Sequence, residues 1–445
     1  MKPILIKNAI IVNEGKTEKK DVLIQNEKIS LIAKEINPQE NYHIIDASGK
    51  YLFPGMIDDQ VHFREPGLTH KATIASESKA AVAGGITSFI EMPNTVPQAT
   101  TQKLLEDKFE IAKNTSYANY SFMFGGTNDN LEELLKTNPK KVAAIKLFLG
   151  SSTGNMLVDD EAVLTEIFSK TKMLIAVHCE DEATIKRNLN EHIKIYGEAI
   201  PIEKHPIIRS EEACYISSSK AIELAKKTGA RLHVYHLSTL KETELLDNSI
   251  PLTEKRITAE VCVHHLWFDD SDYAKKGTFI KWNPAIKTKK DKDGLLQALL
   301  DDKIDIIATD HAPHTIAEKK QVYTKAPSGG PLVQHALLAL LEMYHQGKIS
   351  LEKIVEKFSH NVAIMYQIEK RGFIKEGYFA DLVLVDLKHP ETVSKENILY
   401  KCKWSPFKGT TFQSKVLTTF VNGNIVYNKG IFNENIKGKR LVFNR

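Results

Sequence analysis

Residues 52–64 read LFPGMIDDQVHFR, an apolar run that ends in alternating polar side chains. Alternate residues of a β-strand point to the same face, so Gln60, His62 and Arg64 are predicted to lie together at the end of one buried strand. A strand that ends in His-x-His followed by Arg is typical of a metal site. Gln60 stands at the first His position here, so the stretch predicts a metal site in which one ligand position is a neutral amide.

Segments of the same strand type recur along the middle of the chain, separated by helical stretches such as SSSKAIELAKKTGA. The eight segments are residues 53–63, 85–94, 120–126, 142–150, 173–181, 231–239, 257–266 and 304–314. Strand-helix alternation is typical of a parallel sheet. Eight units favour a (β/α)8 barrel of the TIM type over a Rossmann sheet, which would also require a GxGxxG motif after its first strand. The sequence has no such motif.

The two ends of the chain differ from the middle, because both are rich in short β-branched strands with polar turns. Asn422-Gly423 is a strong hairpin signal between two of these strands. We therefore predict an α/β protein with two domains. Residues 1–51 and 371–445 would form a small composite β-sandwich, and residues 52–370 would form the barrel.

The composition indicates a soluble globular protein. Lys and Arg total 60 against 56 for Asp and Glu, without a basic block, which argues against nucleic acid as a partner. No run approaches the roughly 18 apolar residues that span a bilayer, so we expect no membrane association. The four cysteines form no CxxC pair. Free thiols in a reducing compartment and the absence of a signal sequence predict a cytoplasmic protein.

Polar residues gather at the predicted carboxyl ends of the barrel strands, where the active site of such a barrel lies. They are Gln60, His62, Arg64, Asn94, Lys146, His178, His236, His264, His265, Asp310, His311 and His314. A single buried histidine is usually a hydrogen-bonded core residue, but three on separate strands together with Asp310 indicate zinc or a similar ion. His264 and His265 remain open between a structural and a functional role, and His233 is expected to face the helices.

Lys146 is unusual because it lies within an apolar strand, where a charged amine is costly. Lys146 could form an ion pair with a neighbouring Asp, or its side chain could extend so that the amine reaches water. A desolvated lysine also has a depressed pKa, and its neutral amine captures carbon dioxide to form a carbamate that bridges two metals. Beside the histidines, we favour N-carboxylated Lys146.

The motifs HFREPGLTHKATIASESKAAVAGGITSFIEMPNT, KLFLG, AVHCED, HVYHLST, WNPAIK and ATDHAPH occur in this order. Nearly the whole chain resembles the dihydroorotases of the amidohydrolase superfamily. The resemblance implies reversible, zinc-dependent hydrolysis of (S)-dihydroorotate to N-carbamoyl-L-aspartate in de novo pyrimidine (UMP) biosynthesis. The alternatives are an allantoinase or hydantoinase-like cyclic amidase and an inactive homologue that acts as a scaffold. A homodimer and association with aspartate carbamoyltransferase are further expectations.

The resemblance also implies residue roles. His62 would bind a first metal and His178 and His236 a second, with carboxylated Lys146 between them. Asp310 would bind the first metal and act as general base and general acid. The expected substrate-binding residues are Arg64, Asn94, Asn283, His314, Ser328 and Gly329. Gln60 departs from the family pattern, as do Lys287 in place of an Arg and the loop 326–331, which lacks an aromatic residue. Gln60 predicts one or two zinc ions per chain, with the first weakly held.

Overall fold

The computed structural model describes residues 2–150 and 156–445. The chain begins with five strands, β1 (Ile4–Asn13), β2 (Lys16–Gln25), β3 (Lys28–Ala33), β4 (His43–Asp46) and β5 (Tyr51–Pro54). The strands of the central part are β6 (Met56–Val61), β7 (Ile86–Glu91), β8 (Asn119–Phe122), β9 (Phe124–Gly125), β10 (Ile145–Phe148), β11 (Leu174–His178), β12 (Arg231–Val234), β13 (Ile257–Cys262) and β14 (Ile306–Ala308). Six strands follow near the C-terminus: β15 (Leu382–Asp386), β16 (Glu391–Thr392), β17 (Thr411–Phe412), β18 (Lys415–Val421), β19 (Asn424–Asn428) and β20 (Ile431–Phe432).

Helices connect the central strands. They are α1 (Ile74–Ala83), α2 (Gln102–Thr115), α3 (Leu131–Leu135), α4 (Glu161–Lys170), α5 (Glu182–Tyr196), α6 (His205–Ile208), α7 (Glu211–Thr228), α8 (Val263–Trp267), α9 (Tyr273–Lys276), α10 (Lys289–Leu300), α11 (Ile316–Lys319), α12 (Ala336–His345), α13 (Leu351–Val355) and α14 (Asn361–Tyr366). Shorter 3-10 turns occur at Ile202–Lys204, Lys241–Leu245, Asp270–Asp272 and Gly277–Ile280, and a π-helical turn at Glu356–His360. No helix of the described residues is both long and apolar enough to cross a membrane.

The central strands close into the predicted (β/α)8 barrel. Parallel pairing runs from β6 through β7 to β8 and from β9 through β13 to β14. β8 and β9 are two parts of one barrel strand, interrupted at Met123, whose N–H donates to the Glu91 carbonyl at 3.0 Å. The His62 N–H donates to the His311 carbonyl at 2.7 Å and joins the first strand to the last. The fold class predicted from the eight segments is therefore confirmed.

Burial explains why these strands lack the apolar-polar alternation of a half-exposed sheet. Every residue of β6 and β7 is buried, because one face meets the barrel interior and the other meets the helices. Beneath the mouth, Ile57, Ile90, Ala176 and Ile306 pack with Tyr366 from α14. This apolar cluster fills part of the barrel interior, and the carboxyl ends of the strands carry the polar residues of the predicted site.

Strands from both ends of the chain share one sheet, in the order β20-β19-β18-β15-β5-β1-β2-β3, with β4 paired to β1. Asn422 (φ 49°) and Gly423 (φ 73°) form the turn between β18 and β19, so the predicted hairpin is confirmed. Asp381 joins this sheet to the barrel, because it pairs with Arg371 and accepts from the side-chain amide of Asn119 at 3.1 Å. The predicted domain limits at residues 51 and 371 stay a prediction.

Helix caps fix the segments that carry site residues. Asp181 caps α5 by accepting from the Thr184 N–H, directly after the end of β11. Ser210 caps α7 by accepting from the Ala213 N–H, and the helix ends at Gly229 with φ 72°, a backbone angle that favours glycine. Both caps hold residues next to the barrel mouth in defined positions.

Candidate active site

A cavity of about 260 Å³ opens at the carboxyl ends of the barrel strands. It is lined by residues from the first, second, fourth, fifth, sixth, seventh and eighth barrel strands or from the connections that follow them. All eleven residues predicted for the site line it: His62, Arg64, Asn94, Lys146, His178, His236, Asn283, Asp310, His314, Ser328 and Gly329. The remaining lining residues are Gln60, Phe148, Trp282, Ala312 and Pro327. Their convergence is established, while their individual roles stay predictions.

His178 and His236 face each other in the cavity. Nδ1 of His178 lies 2.9 Å from Nε2 of His236, and the two rings are nearly perpendicular. Burial lowers the pKa of both imidazoles, which favours the neutral form that binds metals. Nδ1 of His236 has no partner within the described residues. The facing nitrogens are suited to a shared ion.

Glu180 orients His178 from behind. Its carboxylate lies 2.9 Å from Nε2 of His178 and pairs with Arg209, and its side chain is fully buried. Burial acts to raise the pKa of this carboxyl, but Arg209 and His178 outweigh it and hold the pKa at about 2. Glu180 is therefore ionised at neutral pH and fixes the face that His178 presents to the cavity.

Lys146 projects from β10 into the floor of the cavity. Its Nζ is buried, has no hydrogen-bond partner in the described part of the chain and lies 3.9 Å from the centre of the Tyr235 ring. Burial lowers the pKa of this amine to about 7. A large neutral fraction is thus present near neutral pH, as the carbamate hypothesis requires.

His62 and Asp310 are in direct contact. Nε2 of His62 lies 3.1 Å from Oδ1 of Asp310, and Nδ1 of His62 lies 2.9 Å from Oδ1 of Asn94. Asp310 has φ 48°, a backbone angle unusual for a residue with a side chain, and such angles cluster at functional sites. The backbone thus turns the carboxylate towards His62.

Gln60 lies beside this pair but is held by a residue outside the cavity lining. Its Oε1 lies 3.4 Å from Sγ of Cys262, at the end of β13. Cys262 is fully buried, and burial raises its thiol pKa well above the usual 9.0, so it remains a protonated donor. The amide oxygen of Gln60 is therefore directed at a thiol.

Arg64 gives the cavity a positive charge. Its Nε donates to the Pro313 carbonyl at 3.1 Å, and its Nη2 lies 3.0 Å from Nε2 of His314. The side chain is buried, and the backbone at this residue has φ 69°. No carboxylate of residues 2–150 and 156–445 lies within 4 Å of the guanidinium. A buried cation without a counter-charge is costly, so this position calls for an anionic ligand.

The loop after the last barrel strand contributes backbone to the cavity. Oγ of Ser328 donates to Oδ1 of Asn283 at 2.9 Å, and Gly329 has φ 122°. Lys319 donates from a buried Nζ to the carbonyls of Pro327 and Gly329, each at 2.8 Å. Lys281 donates to those of Tyr323 and Ala326 at 2.7 and 2.6 Å. Two buried lysine amino groups thus hold this loop.

Several residues with site contacts escaped prediction from the sequence. Glu180 stands in the segment AVHCED, and its place two residues after His178 was the available signal. Nothing in the sequence indicated Cys262, Lys281 or Lys319. His264 and His265 lie outside the lining of the cavity among the described residues, and His264 stacks on Trp282.

The prediction that His233 faces the helices is wrong. Nε2 of His233 lies 3.1 Å from Glu260 and 3.6 Å from Asp59 on β6, so its ring projects into the barrel interior. Asp59, His233 and Glu260 could hold a cation. Nδ1 of His233 contacts Thr258 at 2.9 Å, and Tyr366 donates to Asp59 at 2.9 Å, so internal hydrogen bonds already satisfy much of this sealed group.

Comparisons with known proteins agree with the fold. Residues 51–426 match the model of the amidohydrolase family. The dihydroorotase of Carboxydothermus hydrogenoformans is 35% identical over 435 residues, which cover 96% of this chain and 98% of that protein. The dihydroorotase of Methanosphaera stadtmanae is 33% identical over 417 residues, covering 91% and 92%. L-hydantoinase (dihydropyrimidinase) from Arthrobacter aurescens has a TM-score of 0.91 at 25% identity, covering 97% and 98%. The predicted resemblance is confirmed, and the chain belongs to the amidohydrolase family and, within it, to the dihydroorotases.

Proposed function

We propose that this chain hydrolyses (S)-dihydroorotate reversibly to N-carbamoyl-L-aspartate, a step of de novo pyrimidine biosynthesis. The buried guanidinium of Arg64 carries this proposal, because it lines the cavity and lacks a carboxylate partner among the described residues. Dihydroorotate offers a ring carboxylate to Arg64 and Asn94. Hydantoin has no carboxylate to neutralise this charge.

We propose zinc as the metal of the site. The facing nitrogens of His178 and His236 and the unpartnered Nζ of Lys146 suit such an ion on one side of the cavity. Carboxylated Lys146 would extend a carboxylate towards the other side, where His62 and Asp310 would hold a more weakly bound ion beside Gln60. A bound ion supplies a water of lowered pKa and polarises the amide carbonyl.

Asp310 is the proposed proton carrier. In the hydrolytic direction it accepts a proton from the attacking water as the new C–O bond forms at the ring carbonyl. The C–N bond then breaks, and Asp310 returns the proton to the leaving ring nitrogen. His62 fixes the Asp310 carboxylate at 3.1 Å. Asn283, His314 and the backbone of Ser328 and Gly329 would hold the rest of the ring, and ring closure follows the same steps in reverse.

The test is a direct comparison of substrates. Dihydroorotate, allantoin and hydantoin are supplied to the purified protein at equal concentration, and ring opening is followed for each. We expect the highest kcat/KM for dihydroorotate. Arg64→Gln should raise KM for dihydroorotate and leave hydantoin turnover nearly unchanged. Faster turnover of allantoin or hydantoin would refute the proposed substrate, and a folded, metal-loaded protein without turnover of any would favour the scaffold alternative.

Lys146→Ala tests the carbamate. The variant should lose activity, and short carboxylic acids should restore a part of it by replacing the missing carboxylate. Full activity in this variant would rule the carbamate out.

We further propose that the protein is cytoplasmic, forms a homodimer and associates with aspartate carbamoyltransferase. All four cysteines are free and buried, which supports a reducing compartment. The mass of the particle in solution, measured for the protein alone and mixed with aspartate carbamoyltransferase, tests the homodimer and the complex.

A further inference from the structure

Gln60 presents the two ends of its side-chain amide to different surroundings. Its Oε1 accepts from the Cys262 thiol at 3.4 Å, outside the cavity lining. Gln60 itself lines the cavity, and its Nε2 has no partner among the residues that the structure describes. Because the oxygen faces the thiol, the nitrogen with its two N–H donors faces the cavity.

This orientation follows from what Cys262 can offer. A buried thiol is a donor and only a weak acceptor, so it stabilises the amide with the oxygen towards sulfur. The neighbouring carboxylate of Glu260 lies farther from Sγ, at 3.8 Å, and accepts from the His236 N–H at 3.1 Å. Cys262 is therefore a better partner for Gln60 than for Glu260.

We propose that Gln60 is a hydrogen-bond donor of the reaction site and not a metal ligand, and that Cys262 is the positioning residue that fixes this orientation. An N–H donor disfavours a cation and favours an oxygen atom, such as the oxygen that gains negative charge when the ring carbonyl is attacked. The chain then holds one metal ion per site, on the side of His178 and His236. The inference rests on the metal site proposed above, and it replaces the weakly bound ion proposed at His62 and Asp310 with a hydrogen bond from Gln60.

The first test counts metal ions in the purified protein after dialysis against metal-free buffer. We expect one ion per wild-type chain and two per chain in Gln60→His, which restores an imidazole ligand. Gln60→Glu, which supplies an oxygen ligand, serves if the histidine variant does not fold. Manganese-loaded Gln60→His should show the coupled electron spin resonance of two neighbouring ions. A wild-type count other than one, or an unchanged count in both folded variants, would overturn the inference.

The second test separates the role of Cys262 from simple packing. Cys262→Ser keeps a donor and should keep the wild-type count at any zinc concentration. Cys262→Ala removes the donor, so the amide oxygen can turn to the cavity. This variant should bind a second zinc at least tenfold more tightly than wild type. Equal affinities in Cys262→Ala and wild type would refute the positioning role.

The third test addresses the donor itself. Gln60→Met has similar length without N–H groups, so it should keep one ion and lose about 10²–10³-fold in kcat, as expected for a lost donor to a developing oxyanion. Unchanged kcat in a folded Gln60→Met would overturn the donor role. Wild-type protein with one ion and no dihydroorotate turnover would refute the proposed function alone, since the ion counts do not depend on turnover.

Discussion

Replacing Glu180 with glutamine should weaken metal binding without touching a proposed ligand. Glu180 lies 2.9 Å from Nε2 of His178, the nitrogen turned away from His236. The glutamine side chain has similar size but no charge, so His178 would lose its ionised partner and Arg209 its counter-charge. Groups behind a metal ligand typically contribute about 10–100-fold in metal affinity or activity. We expect a loss of this size, about 1.4–2.8 kcal/mol.

The same substitution should change the acid stability of the metal-free protein. The Glu180 pKa of about 2, against an ordinary 4.5, corresponds to on the order of 3 kcal/mol of stability. A carboxyl with a lowered pKa contributes this stability above about pH 4.5 and loses it as the pH falls towards 2. The free energy of unfolding of Glu180→Gln should therefore depend less on pH in this window than that of wild type.

Metal affinity is measured by chelator competition at pH 7 and stability by urea unfolding across the acid range. Glu212→Gln is the matched control, because Glu212 makes an exposed ion pair with Arg187 at 3.4 Å and should change neither quantity. A folded Glu180→Gln with metal affinity within twofold of wild type would refute the orienting role of Glu180. An unchanged acid profile would refute the assigned pKa.

Three further substitutions test other parts of the structure. Lys319→Met removes the amino group that donates to the carbonyls of Pro327 and Gly329. It should raise KM for dihydroorotate more than it lowers kcat, and an unchanged KM in steady-state kinetics would contradict the loop-holding role. Gly329→Ala should nearly abolish activity, because the new Cβ would lie 2.5 Å from the Ala312 carbonyl oxygen and residue 329 has a φ of 122°. Turnover equal to that of wild type would contradict this. Asp381→Ala leaves Arg371 buried without its partner. The free energy of unfolding, measured with urea, should fall by about 3–5 kcal/mol. A fall of less than 1 kcal/mol would show that the pair contributes little.

The barrel was predictable because its signals are local and repeated. Each strand is an apolar segment of limited length, and several of the helices between the strands begin with a polar cap, such as Asp181 or Ser210. The convergence of His62, His178 and Asp310 also followed from the sequence, because parallel strands in a barrel place their carboxyl ends at one mouth.

The error at His233 has a local backbone cause. Strand β12 ends at Val234, and His236 has a φ of 37°, so the alternation of the strand does not continue to His236. His233 is three residues before His236, so strict alternation would place the two side chains on opposite faces. Because the alternation is broken, this assigns the wrong face to His233. Contacts between residues far apart in sequence, such as Lys319 beneath Gly329 or Cys262 against Gln60, depend on side-chain packing that no periodicity encodes.

The two sides of the cavity have separate requirements, and this separation explains how a dihydroorotase can carry Gln60. On one side, two neutral imidazoles face each other beside the unpartnered amine of Lys146, and Glu180 orients that of His178. None of these contacts involves Gln60. On the other side, His62 and Asp310 contact each other directly at 3.1 Å, so the Asp310 carboxylate keeps its place for proton transfer without help from residue 60. In the proposed mechanism, Gln60 thus alters ion binding on one side only and leaves the proton carrier Asp310 and Arg64 in position.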